Sequence, residues 1–495
     1  MVLFLCRKNV THLSTTATIS NADKLGTEPI GKLLLQYSLP AIIAMSSSSL
    51  YHIIDSIFVG RGVGGAAIAG MAITMPIMNI GSAFGAMVGV GAGATISLRL
   101  GEGNKMAAEK TLGNAVLLNV VIGLLVMIAM LVFLDPILLL FSGGRATAET
   151  IGYARQFMQI ILAGNVITHL YLGMSEMIRS SGYPRKAMFI TLTTVVITLL
   201  LNPLFIFKFG WGIRGSAAAT VIAQFVAFGI ALSHFCSHKS YIHFSRRSLH
   251  FEWKVIGAIL SIGLAPFLLN LCASLVAAFV NNALLKHGGS GTYDIISGLP
   301  NVGDIYVAGY GIANRILLLF IMVIQGLNQG MQPIVGYNYG AEQFSRVRRA
   351  LFCTIGCAVG VATLGFGLAQ LMPEQIAQLF VDGDKGGNEQ AIIAIAAQGL
   401  HIIMAIFPLA GFQIVTGNFF QYIGKAPLAI FTSLTRQLLF LVPLLFLLPR
   451  TLGACGVWIS FPIADFVSTI LAAIFLVRQL RAMRMREAII RKSAL

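Results

Sequence analysis

AGMAITMPIMNIGSAFGAMVGVGAGATISLRLGEGNK, residues 69–105, and AGYGIANRILLLFIMVIQGLNQGMQPIVGYNYGAEQF, residues 308–344, align without a gap. Gly101 falls on Gly340, and the basic cluster at Lys110 falls on Arg349. The correspondence extends in both directions. SLPA around Pro40 matches APFL around Pro266, and GIRGSAAATVIAQFV from Gly212 matches GACGVWISFPIADFV from Gly453. The chain is two copies of one unit. The nature of that unit follows from its polarity: of 495 residues, 57% are hydrophobic and 11% charged, with a mean hydropathy of +0.83. A soluble protein carries about 25% charged residues; so few could not clothe a water-exposed surface, and the polytopic membrane class is what remains.

Crossing a ~30 Å hydrocarbon core takes about 20 apolar residues, and the chain holds twelve such stretches, the first at about 33–59 and the last at about 453–477. Backbone groups in lipid must be satisfied within the segment, so these stretches are predicted to be helices and the protein all-α. Six spans per copy is an even number, so both copies point the same way. They are expected to form two six-helix lobes related by a pseudo-twofold along the membrane normal, the parallel-repeat arrangement of some secondary transporters. The predicted organisation is a cytoplasmic N-terminal segment (1–32), an N-terminal lobe (33–238), an interlobe loop (239–253), a C-terminal lobe (254–477) and a basic tail (478–495). Neither a channel nor a membrane-embedded enzyme needs the duplication.

The net charge of +16 would fit a nucleic-acid partner were it not so unevenly placed. Most of the 34 Lys and Arg residues lie in one alternating set of loops: the N-terminus, Arg99–Lys110, Arg179–Lys186, Lys239–Lys254, Arg346–Arg349, Lys425 and the tail from Arg478. That bias puts both termini in the cytoplasm and assigns the tail to anionic lipid rather than to nucleic acid. The six cysteines are scattered in or beside apolar runs, without a metal-ligand or disulfide pattern. P-loops and nucleophile elbows are absent, so no cofactor or ATP is expected and energy must come from an ion gradient or a partner. The expected state is a monomer.

Three acids fall inside spans: Asp55, Glu176 and Asp465. A charge at the bilayer centre costs at least ~3 kcal/mol, so each calls for a reason. Glu176 stands three residues before Arg179 and can pair with it within one helix. Arg436 on the adjacent span can neutralise Asp465. Asp55 lies near the outer end of the first span, and its repeat partner is Asn281. It is either the ion-coupling acid or an inert, hydrogen-bonded interfacial group. For substrate contacts the candidates are Asn281, Arg315, Gln325, Asn328 and Gln413, polar residues in the C-terminal spans that can line an otherwise apolar, aromatic and Met-rich cleft or simply bond neighbouring helices.

Five segments resemble multidrug and toxic compound extrusion (MATE) transporters. They are LYHIIDSIFVGRGVG from Leu50, GYPRKAM from Gly182, NPLFIFKFGWGIRGSAAAT from Asn202, PIVGYNYGA from Pro333 and GKAPLAIFTSLTRQ from Gly424. The likeness runs in family order from about residue 28 to 480 and leans towards the bacterial drug-efflux branch. It implies efflux of small amphipathic, mostly cationic compounds by antiport with H+ or Na+, through alternating access of a cleft, in a bacterial cytoplasmic membrane. In proton-coupled relatives an acid on the first helix joins an Asn and an Asp on the fifth and a Thr on the sixth. The matching positions here are Asp55, Thr198, Asn202 and Thr220. Two depart from the family pattern: Thr198 replaces Asn and Asn202 replaces Asp. The broader superfamily also includes lipid-linked oligosaccharide flippases, which line their cleft with several Arg and Lys; here Arg315 is the clear candidate for that role.

Overall fold

The computed structural model describes residues 21–142, 146–237, 240–245, 248, 250–289, 302–380 and 389–493. Residues 1–20 of the N-terminal segment, and Lys239, Arg246, Arg247 and Leu249 of the interlobe loop, lie outside that set. The regular secondary structure of the described residues is helical, with no strand among them. A short helix, α1 (Asn21–Thr27), leads into α2 (Ile30–Gly62), followed by α3 (Gly65–Gly101), α4 (Lys105–Val132) and the brief α5 (Leu134–Ser142). Next come α6 (Ala148–Ala163), α7 (Asn165–Ser180), α8 (Pro184–Pro203) and α9 (Ile213–Cys236). The second half holds α10 (Trp253–His287), α11 (Val302–Gly340), α12 (Phe344–Leu371), the short α13 (Pro373–Gln378), α14 (Glu389–Ile403) and α15 (Phe407–Tyr422). It ends with α16 (Ala426–Leu434), α17 (Val442–Leu447), α18 (Pro449–Leu452) and the 40-residue α19 (Ala454–Ser493).

Ten helices are long and apolar enough to cross a membrane, and two bent pairs raise the number to twelve. The protein is a multi-pass membrane protein. Two stretches that read as single spans in the sequence are broken. α6 and α7 meet at 56°, and α14 and α15 at 59°. Gly164 stands at the first break. At the second, Pro408 lacks the N–H a continuous helix would need, and its ring would collide with the carbonyl four residues back. Prolines also accompany two π-helical stretches, Leu204–Lys208 just after Pro203 and Thr435–Leu441 just before Pro443. A residue whose N–H is missing leaves an unpaired carbonyl one turn earlier, and a wider turn lets the ladder resume.

The chain divides into two compact units. The first comprises residues 1–270, 329–347 and 422–426; the second comprises 271–328, 348–421 and 427–495. In the first unit, α3 packs along α7 through a glycine stripe. Gly85 faces His169, Gly89 faces Gly173 and Gly93 faces Glu176 and Ser180. Without side chains on one side the backbones approach closely, which is how helices associate where lipid removes the hydrophobic drive. The same unit shows the repeat as a reciprocal contact. A methyl group on Gly101 would overlap the carbonyl of Tyr337, and one on Gly340 would overlap the carbonyl of Leu98. Residues 101 and 340 are repeat equivalents, and so are 98 and 337. Such an i-to-j, j-to-i contact is the signature of a twofold relation. The two repeat-equivalent glycines further along these helices behave alike: Gly91 abuts Ile259 and Gly263 on α10, and Gly330 abuts Ser38 on α2.

In the second unit, α19 carries Trp458, Phe461 and Asp465 along one face. Trp458 stacks with Tyr310 of α11 at 6.0 Å between ring centroids, and Phe461 lies 6.4 Å from the same ring. Both α19 aromatics are buried.

Candidate functional site

Asp55 lies near the end of α2, at the end of the bundle opposite the basic loops, and only 3% of it is exposed. Its Oδ1 accepts two hydrogen bonds. Asn202 Nδ2 of α8 donates at 2.6 Å, and Ser216 Oγ of α9 donates at 2.7 Å. Both donors are fully buried. One turn away, Tyr51 of α2 and Thr220 of α9 share a hydrogen bond of 2.8 Å between their hydroxyl groups. Residues four apart stack on one helix face, so α2 and α9 meet through two polar rungs, 55 with 216 and 51 with 220. Asn202 immediately precedes Pro203 and the π-helical turn, a distortion found often at functional sites. Its carbonyl oxygen Oδ1 is buried and has no hydrogen-bond partner among the described residues.

The four positions expected from the family pattern are thus differently engaged. Asp55 and Asn202 touch directly. Thr220 joins the cluster through Tyr51. Thr198 is buried on α8, but its hydroxyl donates to the Thr194 carbonyl one turn back, at 2.8 Å. Ser216 and Tyr51 complete the network, and neither stands among the four family positions. Their signal was available: Ser216 precedes Thr220 by one turn, and Tyr51 precedes Asp55 by one turn.

The other two membrane acids have cationic partners. Arg179 Nη1 donates to Glu176 Oε2 at 2.6 Å, and with its amide nitrogen turned towards Glu176, Gln332 of α11 donates to Oε1 at 2.8 Å. Arg436, within the π-helical stretch, donates through Nε to Asp465 Oδ1 and through Nη2 to Oδ2, the latter at 3.3 Å. Asp55 has no ion-pair partner among the described residues. Charge pairing therefore separates the three acids: two are neutralised by arginine, and one is held only by neutral donors.

The C-terminal candidates are spread over the second unit. Asn281 of α10 and Arg315 of α11 are exposed, and Gln325 is half-buried. Asn328 and Gln413 are buried. Asn328 Nδ2 donates to the Ile324 carbonyl at 3.0 Å, while its Oδ1 and the Gln413 Oε1 have no partner among the described residues. Among the described residues no group of three or more His, Cys, Asp or Glu is placed to hold a metal ion.

The MatE family profile matches residues 40–204 and 295–447, well over half of the chain. Among curated proteins the chain is similar to the multidrug export protein MepA of Staphylococcus aureus, at 24% identity over 460 residues, covering 92% of this chain and 94% of that protein. Among solved structures it is similar to the MATE multidrug transporter DinF-BH, at 35% identity with a TM-score of 0.81, covering 94% of this chain and 98% of that one. It also shares its fold with an outward-facing multidrug resistance MATE family transporter of the MOP superfamily, at 24% identity with a TM-score of 0.83, covering 95% and 99%.

Proposed function

Because the chain belongs to the MatE family, we propose that it is a secondary transporter that expels small amphipathic, mostly cationic drugs from a bacterial cell in exchange for H+ or Na+. The observation that carries the coupling assignment is the contrast among the membrane acids. Glu176 and Asp465 are each tied to an arginine, so a change of charge at either would leave a guanidinium without its partner. Asp55 is buried and held by Asn202 and Ser216, neutral donors that a change of charge at Asp55 would not strand as unpaired ions. Antiport needs an ion that biases two conformations differently, and a group locked in one charge state supplies no such bias.

Asn202 gives that change of charge a structural consequence. An amide and a carboxylic acid can pair through two hydrogen bonds, with the amide N–H on the acid carbonyl and the acid O–H on the amide carbonyl. The first of these bonds is in place at 2.6 Å. A proton on Asp55 Oδ2 would donate to the unpartnered Asn202 Oδ1. Loss of that proton sets a carboxylate oxygen against the amide oxygen, which then needs another donor or a cation. Occupied and empty sites therefore favour different placements of α8 against α2. Replacement of the family Asp by Asn202 limits the cluster to one ionisable carboxyl, so one monovalent ion per cycle is the natural stoichiometry.

The oligosaccharide-flippase alternative would require a cationic cradle for pyrophosphate. Of the two arginines that the hydropathy pattern places well inside spans, Arg315 is exposed and Arg436 is committed to Asp465. Drug efflux is the reading the residues favour. The experiment is efflux of a cationic fluorescent dye from inverted vesicles, with proton and sodium gradients imposed separately. Acceleration by one gradient supports antiport and names the ion. Dye movement indifferent to both would overturn it.

A further inference from the structure

The short helix α1 is tied to the second half of the chain by an arginine that nothing above employs. Arg346, near the start of α12, donates from Nη2 to the backbone carbonyls of Leu25 at 3.0 Å and Glu28 at 2.6 Å. Its Nε donates to Asn338 Oδ1 at 2.8 Å, and Asn338 Nδ2 donates to the same Leu25 carbonyl at 2.9 Å. Asn338 and Leu25 are fully buried. The acceptors lie at the C-terminal end of α1, Leu25 in its last turn and Glu28 just beyond it, where the helix dipole is negative and a guanidinium is favourably held. Gly26 lets the segment press on α11, since a methyl group there would come within 2.9 Å of the Tyr337 ring. Burial, with Asp23 of α1 and Glu109 nearby, pushes the Tyr241 phenol of the interlobe loop up from its ordinary pKa.

The position of this junction gives it leverage. α1 is separated from α2 by only Glu28 and Pro29, and Arg346 and Asn338 flank the turn that follows Gly340. The reciprocal Gly101–Gly340 crossing is at that same end. α2 cannot swing away from α11 and α12 at this end without breaking the bonds to Leu25 and Glu28. Asp55 is 25 residues beyond Ile30 on the same helix, roughly 38 Å away at 1.5 Å per residue.

We propose that Arg346 and Asn338 form a latch on α1 that holds the basic-loop end of the transporter closed, so that release of this helix is a step in opening that end. The latch has no role in drug or ion recognition, and it is independent of the antiport reading. It acts on the equilibrium between closed and open forms, and its loss shifts that equilibrium without altering either binding site.

The test uses the full-length chain in lipid nanodiscs, with native cysteines replaced by serine and a reporter Ser97→Cys. Ser97 is fully buried at the crossing, so its rate of reaction with a maleimide reads opening and requires neither drug nor gradient. Arg346→Gln removes the bonds to Leu25 and Glu28, and Asn338→Leu removes the second donor from the other side. Arg348→Gln, which breaks the Arg348–Glu487 pair at 2.8 Å without touching α1, is the control for generic loosening. The expected result is labelling about tenfold faster in Arg346→Gln and in Asn338→Leu, with Arg348→Gln at the parental rate. Labelling unchanged in both latch variants, or equally accelerated in Arg348→Gln, overturns the latch. Should one latch variant fail to fold, the other decides. A failure of dye efflux in the parental protein would count against the antiport reading alone.

Discussion

Neutralising Glu176 and neutralising Asp55 should have opposite consequences, although both remove one buried carboxylate. Glu176 is 8% exposed and its partner Arg179 is 7% exposed, joined at 2.6 Å. Glu176→Gln keeps the shape and one accepting oxygen but leaves the guanidinium with no counter-charge. Removing one partner from a buried pair typically costs about 3–5 kcal/mol, because the remaining charge keeps its desolvation penalty. Asp55→Asn leaves no such orphan. Asn202 and Ser216 are neutral, and an amide oxygen at position 55 still accepts from both; only the extra strength of bonds to a charged acceptor is lost, about 1 kcal/mol. A thermal melt in mild detergent, followed by intrinsic fluorescence and checked by size exclusion, should rank Asp55→Asn close to the parent and Glu176→Gln well below it. Gradient-driven dye efflux should reverse that order, falling to background in Asp55→Asn and persisting in whatever fraction of Glu176→Gln remains folded. If Asp55→Asn melts as low as Glu176→Gln, or pumps at the parental rate, the division between structural and coupling acids is wrong.

Other substitutions test neighbouring parts of the argument. Asn202→Asp places a second carboxyl beside the first; sharing one site between two acids splits their titration, so the dependence of efflux on external pH should broaden into two steps, read from initial rates between pH 5 and 9. A single unchanged step would remove Asn202 from the coupling cluster. Ser216→Ala should lower gradient-driven efflux, with Ser216→Thr restoring it because the hydroxyl returns; equal loss in both would point to packing rather than hydrogen bonding. Gly101→Ala forces a methyl group onto the Tyr337 backbone carbonyl, which cannot rotate aside, and should cost about 3 kcal/mol or more of stability, whereas Gly103→Ala, in open space but at φ 71°, should cost about 1 kcal/mol from backbone strain; comparable melts would deny the close crossing.

The parts of this structure legible in the sequence are those written in side chains. Hydropathy marks the spans, and the gapless alignment pairs Gly101 with Gly340. The same alignment could not reveal that each glycine meets the repeat equivalent of the other's neighbour, because it compares residues without placing them. The Glu176–Arg179 pair was readable from a spacing of three, and Arg436 was placed beside Asp465 by span adjacency. The family pattern named Asp55, Thr198, Asn202 and Thr220 together; in the structure Asp55 and Asn202 are hydrogen-bonded, while the Thr198 hydroxyl turns back to Thr194. The breaks between α6 and α7 and between α14 and α15 were hidden by hydropathy, which is blind to helix direction, although Pro408 marked one of them. The Arg346 latch was the least visible of all. Its acceptors are backbone carbonyls, which every residue possesses and no sequence pattern distinguishes.

The reciprocal glycine crossing also bears on what duplication permits. If two separate copies of one half met through that contact, a single mutation would damage both sides of the axis at once, and any change at residue 98 would appear also at residue 337. Joining the copies in one chain removes that constraint. Leu98 and Tyr337 have already parted company, and only the tyrosine supports the glycine of α1. Symmetry supplied the crossing ready-made, while divergence let each half secure its leading segment with different residues: Arg346 and Asn338 hold α1, whereas Asn114 and Lys110 hold residues 250–252 ahead of α10.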